Sequence, residues 1–125
     1  MILFTNKTQS ENPKIPWGKI KKCVLGDGYE LSIVFCGDKV IKSLNRRYNK
    51  KTRATNILSF ALTEDSGEIF INLSRVKKES ERAGIGFLKR LEYLYTHSLF
   101  HLKGFRHGKE MEKEEQKIMS FNFKV

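Results

Sequence analysis

The 125-residue chain carries 24 Lys and Arg against 14 Asp and Glu, a formal charge of +10 with a pI near 9.7. With 39% hydrophobic and 30% charged residues it can fold as one domain, residues 1–125, without a disulfide framework. No apolar run nears the roughly 20 residues that cross a bilayer, and the excess of positive charge favours a polyanionic partner such as nucleic acid.

In chain order, Met1–Phe4 reads as a short edge strand and is far too short for a secretory signal. Asn6–Pro16, which holds both prolines, reads as a loop. Trp17–Leu25 places Trp17, Ile20, Val24 and Leu25 at helical spacing. Gly26–Gly28 is a turn, and Tyr29–Cys36 (YELSIVFC) alternates before becoming continuously apolar, as a strand does. Asp38 is positioned to cap a helix whose buried face would be Val40, Ile41, Leu44 and Tyr48. Asn49–Thr55 (NKKTRAT) is a cationic loop. Asn56–Leu62 and Gly67–Leu73 read as a hairpin joined through Thr63–Ser66. Ser74 would cap a polar helix ending at Gly84. A long helix runs from about Gly86 to Leu102, with Phe87, Leu88, Leu91, Leu94 and Tyr95 on its apolar stripe, and stops at Gly104. Met111–Phe121 closes the chain as an amphipathic helix with Met111, Glu115, Ile118 and Met119 turned roughly one way. The pattern predicts an α+β fold: a small mixed sheet of three or four strands with about five helices.

Cys23 and Cys36 match no zinc-ligand spacing. Both lie in apolar surroundings and are expected to pack as small reduced hydrophobes, which suits a reducing compartment and a cytoplasmic location.

The histidines carry the chemistry. The chain has three, His97, His101 and His107, all within HSLFHLKGFRH. Residues four apart lie one turn above each other on a helix, so His97 and His101 can aim at one point. Gly104 can end the helix in a left-handed conformation and let His107 return to that point. Three imidazoles with one open position describe a catalytic zinc site at the end of the central helix, although imidazole also suits other divalent transition metals. The open position would hold a metal-bound water whose pKa zinc can lower to about 7. The same spacing occurs in HExxHxxGxxH metalloproteases, but Ser98 stands where those enzymes carry their glutamate base, which disfavours a peptidase.

HSLFHLKGFRH resembles the HGxLHLxGYDH signature of the YbeY endoribonucleases, bacterial rRNA maturation factors. Leu44–Phe60 (LNRRYNKKTRATNILSF) is similar to that family's LNxxYRGKDKPTDVLSFP segment, and Gly67–Asn72 (GEIFIN) to its GDIxI strand. Acidic residues and Met119 after the last histidine also fit. The resemblance implies an α+β fold, zinc on His97, His101 and His107, and cleavage of single-stranded RNA. It further implies action on ribosomal RNA at the 3′ end of the small-subunit 16S RNA, ribosome quality control, and association with the ribosome or its small subunit. The family's arginine after the tyrosine is Asn49 here; Lys50, Lys51 and Arg53 stand close by as candidate phosphate contacts. The aspartate before the last histidine is Arg106, so an acidic partner for a zinc histidine has to come from elsewhere. The general base is unassigned, with Glu68 a weak candidate, and the nucleophile is either water or the RNA's own 2′-hydroxyl. Phe60 and Phe105 can stack on bases or simply fill the core. Two other functions stay open: an assembly factor with a mainly structural zinc, kept open by the missing arginine, or a zinc hydrolase with a non-RNA substrate, which the charge disfavours.

Overall fold

The computed structural model describes residues 1–50, 54–104 and 108–121. Among these, the chain runs β1 (Ile2–Asn6), α1 (Trp17–Leu25), β2 (Glu30–Cys36), α2 (Asp38–Asn49), β3 (Ile57–Thr63), β4 (Ser66–Asn72), α3 (Leu73–Ala83), α4 (Phe87–Lys103) and α5 (Lys109–Met119). The fold is α+β, as expected: one mixed sheet ordered β1-β2-β4-β3. β1 and β4 flank β2 in parallel, while β3 pairs antiparallel with β4 as the hairpin, slipping register between Ala61 and Thr63. No helix among the described residues is long and apolar enough to cross a membrane.

The continuously apolar run of β2 follows from its place. It is one of two interior strands and is covered on both faces, with Leu31, Ile33, Val34, Phe35 and Cys36 all buried. Alternation along β4 splits the molecule into two layers. Ile69 and Ile71 join the main core with residues of α1, α3, α4 and α5; Phe70 turns the other way toward Val34, Cys36 and Ile41 under α2. Helix α4 is the hub of the larger layer, packing against α1, α3, α5 and β3. Tyr95 anchors it: its hydroxyl donates to the Trp17 carbonyl at 2.8 Å, and the two rings meet edge-on at 4.7 Å.

Local chemistry corrects several expectations. Asp38 does not cap α2; Gly37 takes that position, and Asp38 begins the helix. Its carboxylate instead receives Arg75 and the Asn72 amide (2.6 Å), and the Arg75 hydrogen bond first, then that of Asn72, holds the Asp38 pKa below the ordinary carboxylate value. Ser74 is likewise inside its helix, and the α3 cap is Asn72, whose side-chain oxygen accepts the Arg75 N–H. On α2 the buried face is Ile41 and Asn45, whereas Tyr48 is 58% exposed and leans on Phe60. Leu88 is also exposed, although its neighbour Phe87 packs against the core. Cys36 is buried, and desolvation pushes its thiol up to about 11, but Cys23 faces solvent on the outer side of α1. α5 lies two residues earlier than the expected Met111–Phe121.

Candidate metal centre

Helix α4 performs the operation its spacing implies. With 3.6 residues per turn, His97 and His101 fall on one face. Their rings meet edge-on at 4.6 Å, and their Nε2 atoms approach to 3.1 Å. Two nitrogens bound at 2.0–2.1 Å to one tetrahedral zinc would lie about 3.3 Å apart, so this spacing fits a shared ion. Gly104, at φ 104°, ends the helix and returns its N–H to the His101 carbonyl at 3.0 Å. The expected third ligand, His107, lies outside the described residues, as do Lys51, Arg53 and Phe105.

The other nitrogen of His97 is accounted for. Its Nδ1 is 2.6 Å from Oε2 of Glu115, a residue only 3% exposed on α5. A carboxylate accepts, so this contact selects the tautomer with the proton on Nδ1 and leaves the Nε2 lone pair directed at His101. Carboxylate–imidazole pairing of this kind orients metal-ligating histidines and raises their basicity. The acidic partner missing at Arg106 is thus supplied from the final helix. Sequence reading placed Glu115 on the buried face of that helix without giving it a role. The signal was present: a carboxylate among Met111 and Ile118 is costly unless paired.

The two histidines open into a cleft of about 610 Å³ between α4 and β3. Asn56, Ser59 and Ser98 line it, and so does Asn49 from the end of α2. Asn49 donates to the Asn45 side chain at 3.0 Å, so the position matching the family arginine faces the histidines with a neutral amide. Lys50 follows as the left-handed cap of α2, with φ 54° and an exposed side chain. Glu68 is not brought to the histidines. It alternates with Gly67 and Ile69, so it shares the sheet face of Phe70, and it is absent from the cleft lining. Phe60 also belongs to that face, between Tyr48 and Phe70, and acts as packing there.

Comparison with known proteins places the chain as a whole. The family described as endoribonuclease YbeY matches residues 9–122. An endoribonuclease YbeY of Geobacter sulfurreducens is 35% identical over 113 residues, covering 80% of this chain and 75% of the relative. One of Geobacter metallireducens is 34% identical over 98 residues, covering 71% and 65%. The chain therefore spans between two-thirds and three-quarters, approximately, of the length of these relatives. A solution structure from Thermotoga maritima shares the fold with a TM-score of 0.66 at 24% identity, covering 95% of this chain and 87% of that one. A histidine pair one turn apart, braced by a buried carboxylate and embedded in a match of this extent, has one reading: the chain belongs to the YbeY family of endoribonucleases.

Proposed function

We propose that this chain is a metal-dependent endoribonuclease that cleaves single-stranded RNA, with His97, His101 and His107 holding one zinc ion or a similar divalent transition metal. The observation that carries the proposal is the 3.1 Å approach of the His97 and His101 Nε2 atoms, with the His97 ring oriented by Glu115. When bound, the ion supplies Lewis acidity toward a phosphoryl oxygen and acidifies water at neutral pH. Glu115 keeps the His97 proton on Nδ1, away from the ligating atom. Lys50, Lys51 and Arg53 hold the RNA backbone without reading its sequence. Ser98 is not a base at neutral pH, and Glu68 lies on the other sheet face. The substrate fitting the +10 charge and the family is ribosomal RNA, at the 3′ end of the 16S RNA and in quality control of the small subunit in the cytoplasm.

Labelled single-stranded RNA incubated with the purified protein, with its chelated form and with His101→Ala tests the proposal. Cleavage confined to the untreated protein is expected. Equal cleavage in all three would identify a contaminating nuclease. Asn49, which puts a neutral amide on the cleft wall, favours a second reading as a ribosome assembly factor with a mainly structural zinc. RNA binding without cleavage in any sample would select it. A 2′,3′-cyclic phosphate product would identify the RNA's 2′-hydroxyl, rather than water, as the first nucleophile.

A further inference from the structure

A second cavity, of about 510 Å³, lies between α4 and α5, and two of its lining residues contact the His97 ring. Glu115 lines it while bonding to His97, and Tyr93, one turn before His97, lines it while stacking on the His97 ring with centroids 6.0 Å apart. Its apolar lining is Met119 and the partly open Ile85. Opposite Tyr93, α5 presents Glu112 and Gln116, one turn apart. Lys89 stands exposed on the α4 wall. Tyr93 keeps 39% of its surface open, although it is held in place by the Arg90 guanidinium 5.7 Å from its centroid. Arg90 is itself tied to Glu79 at 3.4 Å.

These parts match one ligand chemistry. The volume exceeds that of a nucleobase and falls in the usual range for small-molecule sites. An aromatic ring beside apolar side chains suits a flat π system. A primary amide beside a carboxylate offers one donor and more than one acceptor to a base edge, a set that favours an exocyclic amino group over a second carbonyl. A lysine on the wall suits the attached phosphate. We propose that the α4–α5 cavity is a nucleotide subsite: one base of the RNA strand, bearing an amino group, packs on Tyr93 and is read by Gln116 and Glu112, while Lys89 meets its phosphate. This deepens the endoribonuclease reading and rests on it.

The test measures binding, not cleavage. Affinities of the metal-loaded protein for a short labelled 2′-O-methyl single strand are compared with those of the same strand carrying an abasic position at each place in turn. Tyr93→Ala is expected to weaken binding roughly 5- to 150-fold, the range for losing one stacked base. Tyr93→Phe should stay within about twofold of wild type, since the stacking face is kept. In the wild type one abasic position should cost affinity, and in Tyr93→Ala that position should cost nothing further. Unaltered affinity in Tyr93→Ala, or the same abasic profile in both proteins, would overturn the subsite. Should Tyr93→Ala lose metal or fold, Gln116→Ala on the opposite helix decides. It should abolish a preference for cytosine or adenine over uracil at that position, and a retained preference would overturn the subsite. Failure of the wild type to bind any strand would instead bring down the endoribonuclease reading itself, together with the subsite.

Discussion

Glu115 is the residue on which the site's order turns. Its side chain is almost wholly buried, and its contact is the Nδ1 of His97 at 2.6 Å. Replacing it with Gln keeps an acceptor of the same shape but removes the charge that makes the imidazole a stronger donor to a metal. Replacing it with Ala removes the acceptor and frees the ring to turn. Partners of this kind alter metal affinity by about 10- to 100-fold. Zinc affinity, read by competition with a chromophoric chelator, is therefore expected to fall by that amount in Glu115→Ala and by less in Glu115→Gln. Unchanged affinity in Glu115→Ala would show the pair to be structural only. The two histidines were legible from their spacing because a helix has one pitch. Glu115 was not, because its partner is on another helix 18 positions away, and only the docking of α5 onto α4 brings them together.

At the scale of elements, the hairpin and α4 meet at Gly67. A Cβ built there would lie 2.5 Å from the Tyr29 hydroxyl, 3.0 Å from Leu102 Cδ2 and 3.1 Å from the Phe60 carbonyl oxygen. Its neighbours are a strand carbonyl and two packed side chains, so Gly67→Ala forces the end of α4 or the start of β2 to shift. Overpacking of this kind costs about 1–3 kcal/mol. Denaturant unfolding should show that loss, and it should shrink in a Tyr29→Phe background, where the nearest atom is gone; equal losses in both backgrounds would place the strain elsewhere. The sequence reading of elements succeeded where one local rule governed, as with Gly84 and Gly104 ending α3 and α4 in left-handed conformations. It went astray where tertiary partners competed. Asp38 looked like a cap until Arg75 and Asn72 claimed its carboxylate, and Tyr48 looked buried although Asn45 occupies that face.

For the molecule as a whole, a charge of +10 leaves two accounts of RNA affinity: a diffuse field, or a few cations placed beside the cleft. They differ in how binding responds to salt. Each phosphate neutralised on a single strand adds about −0.7 to the slope of log Kobs against log[salt]. If Lys50, Lys51 and Arg53 each contact a phosphate, changing all three to Ala should make the slope shallower by about 2 units and weaken binding evenly across sequences. A control of equal charge change, Lys14, Lys22 and Lys77 to Ala, removes cations that do not line the histidine cleft. Under a diffuse field both triple variants would lose affinity alike, because only net charge would matter beyond the screening length of about 8 Å at physiological salt. A larger slope change in the Lys50, Lys51 and Arg53 variant assigns backbone binding to the cationic segment that begins at Lys50, one residue past the Asn49 amide on the cleft wall. Identical slopes in the two variants would remove that assignment while leaving the histidine pair untouched.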